Sequence, residues 1–419
     1  MLVSFAVENW ECFRDRQEFS METLGRASEQ FAFETGIRRY PRLNRVAAIY
    51  GPNGSGKSRF VSAIGFMQNA VLNSVKEVEA GDRIAVSPFR FSLSSLDSPT
   101  CFEITFIQDS TVYEYGFCVD SARVWEEWLS VRRPAGRIQR WFMRRFDSDS
   151  EEYLWGFGPS LRGQRETWRK ATRSDALFVS TAVQLNSEIL TPVVEWFRKL
   201  IVIGSGEFPA SFTSKRALSD SEFTPRLIEF LQQADIAVED IKVTEEDINY
   251  DEMAEHIPRP VVEFIRKSGD AKALRSHFGL PVEGSKDLSY LDLGEQSDGT
   301  RRLYSYADPW LNIIDNDRIV VVDELDQSLH PHLVKYLVGI INRESKSMAQ
   351  LVATVHDVTL LLGALERNQI WLTEKDLDQA ASLVPLSDYK VRKKESLLRG
   401  YLGGRYGAVP NVVESDTLE

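Results

Sequence analysis

The sequence predicts an α/β fold: a mixed sheet that carries a glycine-rich loop, interrupted by an inserted α/β lobe. Three observations predict it. A short apolar run, "RVAAIY" (45–50), leads into "GPNGSGKS" (51–58), and the segment after it, "RFVSAIGFMQNAVLNSV", spaces its apolar residues as a helix does. A second apolar run, "RIVVVDE" (318–324), ends in two acids, and a third, "QLVATVHD" (350–357), ends in His and Asp. Apolar runs this short, set between helical patterns, read as strands buried on both faces of a parallel sheet. The long stretch between Lys57 and Asp323 demands an insertion.

Taken in order, residues 2–7 ("LVSFAV") alternate as a strand. After the helix that follows Ser58, "PFRFSLSSL" (88–96), "CFEITFIQ" (101–108) and "TVYEYGFCV" (111–119) read as antiparallel β-structure. Residues 131–173 are rich in Arg and Trp, and 174–203 read as helix and then strand. The Ser, Gly and Pro of 204–223 predict a mobile loop. "TPRLIEFLQQADI" (224–236) has Pro near the start of a helix, and 237–247 read as a turn and strand. "RRLYSYADPWLNII" (301–314) is a helix interrupted near Pro309. Residues 330–346 form an amphipathic helix, "VTLLLGAL" (358–365) starts another, "QIWLTEKD" (369–376) is a last strand, and the tail from 401 is irregular. The expected division is 1–130 for the first part of the main domain, 131–285 for the inserted lobe and 286–419 for the second part.

Composition narrows the class. With 43% hydrophobic and 27% charged residues, the chain is globular. A net charge of -12 argues against a generic nucleic-acid coat protein and leaves room for a local basic face. The three cysteines, Cys12, Cys101 and Cys118, lack metal-ligand spacing and read as reduced, buried thiols. The apolar stretch before Glu8 is too short for a signal segment, and no run of about 18 apolar residues occurs, so no membrane span and a cytoplasmic location are expected.

"GPNGSGKS" fits G-x-x-x-x-G-K-[ST]. Gly51, Pro52, Asn53, Gly54, Ser55 and Gly56 form a loop whose backbone N–H groups converge on phosphate oxygens, and the helix behind adds its N-terminal partial charge. Lys57 then reaches the β- and γ-phosphates of ATP, and Ser58 ligates Mg²⁺. Asp323, at the end of a buried strand, is the second metal-holding residue; Glu324 next to it is a general base for the attacking water. His356, after another buried strand, is placed to contact the γ-phosphate and that water. "SDGT" (297–300) brings a Ser hydroxyl and a Gly N–H to a helix start, which makes a second anion site. Since the chain already has one phosphate loop, Ser297 and Gly299 make sense closing over the loop of another subunit, with Asp326 near the same interface. In 131–173, Arg132, Arg133, Arg137, Arg140, Arg144 and Arg145 interleave with Trp141, Phe142 and Trp168. Three readings stand: a DNA or RNA contact, a protein-partner face, or a β-hairpin with a solvated basic side and a buried aromatic side joined by a turn at "RRPAGR".

The order of "GPNGSGKS", "SDGTRR", "VVVDELDQSLHP" and "ATVHD" resembles that of the ATP-binding-cassette (ABC) P-loop ATPases. Within them the start, "VSFAVENWECFRD", and the end, "QIWLTEKD … YLGGRYGAVP", resemble the OLD-like and abortive-infection ATPases of bacteria, including those of the RloA, AbiL, PARIS and retron-linked systems. The resemblance implies a homodimer or higher homo-oligomer joined through composite ATP sites. It also implies antiviral defence through a separate effector, a nuclease or toxin, from the same operon. The turn reads "QSDGT" here rather than the transporters' LSGGQ, and Gln68, Gln108 and Gln184 are all candidates for the glutamine that links the nucleotide to the lateral lobe. The stretch after His356 is too short for the nuclease domain of OLD-type enzymes, and no heptad arm is present. A RecF-like DNA-repair ATPase that binds DNA directly is the alternative.

Overall fold

The computed structural model describes residues 1–23, 25, 28–75, 83–134, 136–206, 208–247, 272–343, 346–390 and 396–410. The first elements are β1 (Leu2–Glu8), β2 (Gln17–Ser20), β3 (Ala32–Ile37), β4 (Tyr40–Asn44), β5 (Val46–Tyr50), α1 (Lys57–Asn73) and α2 (Leu93–Leu96). Then come β6 (Thr100–Gln108), β7 (Thr111–Val119), β8 (Val124–Arg132), β9 (Gln139–Asp147) and β10 (Glu152–Phe157). Next are α3 (Arg165–Ala171), α4 (Phe178–Gln184), α5 (Thr191–Lys199), β11 (Leu200–Ile203), α6 (Ser211–Ser219), α7 (Phe223–Gln232), β12 (Asp240–Asp247), β13 (Lys272–Pro281) and β14 (Leu288–Asp292). The last are α8 (Asp298–Asp315), β15 (Ile319–Val322), α9 (Pro331–Arg343), β16 (Gln350–Thr354), β17 (Ile370–Lys375), β18 (Ala381–Pro385) and α10 (Leu397–Leu402).

Two compact units result: residues 1–205, 313–326 and 337–419 in the first, 206–312 and 327–336 in the second. The expected boundary at 130/131 is corrected. It falls inside β8, which is hydrogen-bonded to β7 on one side and β9 on the other, so the sheet cannot be divided there. The second unit begins only at Gly206.

The first unit holds a six-stranded sheet in the order β11-β15-β16-β5-β17-β18, parallel except for the antiparallel edge strand β18. Its inner strands β5, β15 and β16 are buried at every residue, which is why they read as unbroken apolar runs. A seven-stranded sheet of the same unit is antiparallel, β10-β9-β8-β7-β6-β1-β2, and β3 pairs with β4 in a two-stranded sheet. Helix α1 buries Phe60, Val61, Ile64, Met67 and Val71, which recur at helical spacing. The Phe60 ring meets Phe5 of β1 at 5.6 Å and Phe19 of β2 at 5.3 Å, and Phe19 in turn meets Trp371 of β17 at 5.0 Å. Each such buried ring contributes about 1.5–3 kcal/mol. Gln350 of β16 joins the six-stranded sheet to β1 of the seven-stranded one: its Oε1 accepts from Leu2 N at 2.6 Å and its Nε2 donates to Leu2 O at 3.0 Å.

Several expectations are overturned. Cys101 and Cys118 are not reduced thiols: they sit directly opposite on β6 and β7 and form a disulfide, leaving Cys12 free and buried. Residues 88–92 form no strand and 93–96 are the short helix α2, because only Phe89 of this apolar stretch is buried while Phe91 and Leu93 are exposed. The stretch expected as a loop at 204–223 contains α6, whose Thr213 Oγ1 donates to Tyr304 O at 2.9 Å. Pro309 does not interrupt α8, since Tyr304, Tyr306, Ala307, Trp310 and Ile313 keep one continuous buried stripe. "VTLLLGAL" gives only a 3₁₀ turn at Val358–Leu361, while α10 reaches two residues into the tail and the described residues after it, 403–410, are irregular as expected.

The Arg-rich stretch divides by face. Arg144 is fully buried, and its Nε donates to Glu127 at 2.9 Å. Glu127 also accepts from Tyr115 Oη, Phe178 N and Val179 N, so this pair fastens β8, β9 and the start of α4. Trp141, Phe142 and Trp168 are buried as well, while Arg133, Arg137, Arg140 and Arg145 are exposed.

The second unit is built on the antiparallel sheet β12-β13-β14 with α6 and α7. Its interior carries a hydroxyl cluster, Ser214, Ser276 and Tyr304, linked at 2.8–3.2 Å. Among the described residues no helix is long and apolar enough to cross a membrane.

Candidate functional site

β5 lies between β16 and β17 and delivers the loop 51–56 from its C-terminal end. The glycines there are dictated by space and backbone. A Cβ on Gly51 would lie 2.4 Å from Thr373 O, and Gly54 and Gly56 have φ of +76° and +114°, where side chains are strained. Thr373 Oγ1 donates to Ser55 O at 2.9 Å and fixes the loop against β17. Lys57 Nζ donates to Gly51 O at 2.6 Å and Pro52 O at 3.2 Å, folded back over the loop. Burial holds its ammonium below the usual lysine range, and Asp323, Asp326 and Glu324 oppose that shift. A nearly buried cation whose acceptors among the described residues are two carbonyls is ready to exchange them for a polyanion. Ser55 Oγ is buried and makes no hydrogen bond among the described residues, an orphaned polar atom inside the same loop. The glycine cradle, the buried ammonium and this orphaned hydroxyl fit a triphosphate.

β15 delivers the acids. Asp323 is buried and its N–H donates to Ile203 O at 2.8 Å. Thr354, at the end of β16, bridges the pair: its Oγ1 donates to Asp323 Oδ1 at 2.6 Å and accepts from Glu324 N at 2.7 Å. Glu324 has φ +50°, a left-handed conformation that costs a non-glycine residue about 1–2 kcal/mol. Asp326 Oδ2 accepts from both His356 N and Asp357 N at 2.6 Å, so this carboxylate binds the turn that carries His356 within its own chain.

A cavity of ≈ 510 Å³ collects Asn53, Gly54, Gly56, Lys57, Ser58, Glu324 and His356, together with Glu11, Cys12, Arg59, Ser87, Arg90, Phe91 and Lys375. Sequence reasoning missed this second group and Thr354. Arg59, directly after the loop motif, gave the one local signal; its Nε pairs with Glu11 at 2.8 Å, and Trp10 Nε1 donates to its carbonyl at 3.1 Å. Burial raises the Glu11 carboxyl above the usual range, against the pull of Arg59. Burial likewise pushes the Cys12 thiol up to about 11. Gln68, Gln108 and Gln184 do not line the cavity; Gln68 Nε2 donates to Phe197 O and Leu200 O at 2.8 and 2.7 Å.

Ser297 and Gly299 lie in the second unit, and Lys57, Asp323, Glu324, Asp326 and His356 in the first. Ser297 caps α8, accepting from Thr300 N at 3.2 Å. With Gly299 and Thr300 it borders a cavity of ≈ 800 Å³ that also takes Ser328, His330 and His332.

Residues 46–362 match the family described as "AAA domain, putative AbiEii toxin, Type IV TA system". No curated protein matches the chain in sequence. Solved structures similar to it include an SMC head bound to the C-winged helix domain of ScpA, at 12% identity and TM-score 0.43, covering 91% of this chain and 96% of that one. The SMC head domain from Thermotoga maritima is similar at 14% identity and TM-score 0.40, covering 93% and 99%. An SMC head with extended coiled coil, bound to the C-terminal domain of ScpA derived from Pyrococcus furiosus, is similar at 13% identity and TM-score 0.36, covering 91% and 95%.

Proposed function

This chain belongs to that family of AAA-domain P-loop ATPases, and on that premise we propose that it is the ATP-hydrolysing regulatory subunit of a bacterial anti-phage defence system, of the OLD-like and abortive-infection group. One observation carries the enzymatic part: Lys57, Ser58, Glu324 and His356, from three separate stretches of chain, line one cavity at the C-terminal ends of adjacent parallel strands. In this reading the 51–56 backbone and Lys57 hold the triphosphate. Ser58 and Asp323 would hold Mg²⁺, which supplies neutralisation of phosphate charge when bound. Glu324 takes the proton of the attacking water, and His356 donates a hydrogen bond toward the transferred phosphoryl group.

Ser297 and Gly299 of a second copy complete the site, which makes ATP the signal that joins two subunits, and turnover, slow and regulatory, the signal that parts them. The family's description, which names a type IV toxin–antitoxin system, supports a place in such a system; in this reading the controlled component is a separate effector. The test is phosphate release and ATP binding by the wild type, Lys57→Ala and Glu324→Gln. Wild type turns over, Lys57→Ala loses binding, and Glu324→Gln binds without turnover. Unchanged turnover in Glu324→Gln would remove the general-base role, and an effector that stays bound or free regardless of nucleotide would remove the regulatory one.

A further inference from the structure

The β8–β9 hairpin presents arginines that the enzymatic site does not use. Arg140 lies opposite Ser130 in the hairpin register, and Arg133 and Arg137 occupy the connection between the strands. The loop after β10 is pinned alongside, Gly158 N donating to Trp141 O at 2.9 Å and Ser160 Oγ to Gln139 Oε1, which brings exposed Arg162 to the same end. None of Arg133, Arg137, Arg140 and Arg162 forms an ion pair with a described carboxylate. Glu114, opposite Ser130 on β7, lies within electrostatic reach of Arg132 and Arg140 and leaves the cluster strongly positive. On a chain of net charge -12, an unneutralised group of guanidiniums is a local reversal of sign.

The faces of the aromatic residues decide what this cluster fits. Trp141, Phe142 and Trp168, the residues that would stack on unpaired bases or anchor a protein partner, are packed inside. Ile138 is the one large apolar side chain exposed among the described residues of this tip, and the charge that faces solvent is guanidinium, suited to bidentate contact with phosphate oxygens. We propose that the β8–β9 tip and the 158–162 loop dock the phosphate backbone of duplex nucleic acid, through Arg133, Arg137, Arg140 and Arg162. This does not rest on the ATPase reading, because binding is measured without nucleotide.

The experiment is fluorescence anisotropy of a labelled DNA duplex of about 30 base pairs. Four phosphate contacts give a log–log salt slope of about -3.6, so affinity falls roughly 150-fold between about 50 and about 200 mM salt. Arg137→Glu with Arg140→Glu weakens binding at least about tenfold and flattens the slope by about 1.8, while Arg198→Glu on α5 leaves it unchanged. Arg133→Glu with Arg162→Glu is the second variant should the first not fold, as checked by thermal melting. Absence of binding at low salt, or binding indifferent to both double reversals, overturns the proposal. Displacement by polyglutamate as effective as by unlabelled duplex overturns the nucleic-acid assignment in favour of an acidic protein surface. Tighter binding to single strands than to duplex contradicts the backbone-only contact.

Discussion

Thr354→Val removes one hydroxyl beneath the acidic pair while keeping the side chain's shape. In the native chain Glu324 N–H donates to Thr354 Oγ1, and that hydroxyl donates to Asp323 Oδ1. The single hydroxyl proton makes the chain unidirectional, so Thr354 fixes both the rotation of Asp323 and the left-handed backbone of Glu324. A hydrogen bond to a charged group is worth about 1.5–3 kcal/mol, and a stranded buried N–H costs about 1–3 kcal/mol. If about 1.4–2.7 kcal/mol of this is lost from the transition state, kcat falls about 10- to 100-fold. Binding of ATP rests on the loop and Lys57, so its Kd stays within about threefold of the wild type. The assay is steady-state phosphate release alongside equilibrium binding of a fluorescent ATP analogue, with thermal melting as the folding control. Thr354→Ser, which restores the hydroxyl, recovers most of kcat. A Thr354→Val enzyme within about twofold of wild-type kcat, well folded, would refute the positioning argument.

Other expected outcomes follow from buried groups. Glu127→Gln leaves the Arg144 guanidinium buried without its carboxylate and destabilises the protein by about 3–5 kcal/mol in denaturant unfolding; a cost under about 1 kcal/mol contradicts the network. Arg145→Ala, which loses a largely exposed pair with Glu126, costs at most about 1 kcal/mol in the same assay. Cys12, raised from its usual 9.0 to about 11, contributes stability that is complete below pH 9 and is lost as pH rises toward 11, because the unfolded thiol ionises first. Its alkylation in the native protein therefore has a midpoint near pH 11, and a midpoint near 9 contradicts the burial of the thiol.

The sequence made the central site legible because its strands are buried on both faces. "VAAIY", "IVVV" and "QLVAT" could be read without knowing their neighbours, and the segment after each supplies residues that line the cavity: Lys57 and Ser58 after the first, Glu324 after the second and His356 after the third. Parts that depend on register were not legible. Nothing local tells that Arg144 points inward and Arg145 outward; Glu127, its cross-strand partner, was the signal, and only strand pairing reveals it. The Cys101–Cys118 pairing likewise follows from the β6–β7 register rather than from spacing. Phe89 and Phe91 alternate as a strand would, yet one is buried and the other lines the cavity mouth. Pro309 reads as a break because the buried stripe that keeps α8 continuous comes from residues on both sides of it. Thr354 was missed because its role lies in two hydrogen bonds to residues some thirty positions earlier, and no motif records them.

In the proposed function, ATP joins two copies through Ser297 and Gly299. Its most direct test is the solution mass of Glu324→Gln with and without Mg-ATP, since this variant holds ATP without consuming it. The expected mass doubles with ATP, and the doubling disappears when Ser297→Arg is added. A monomer under both conditions, or one assembly that ignores nucleotide, would contradict it.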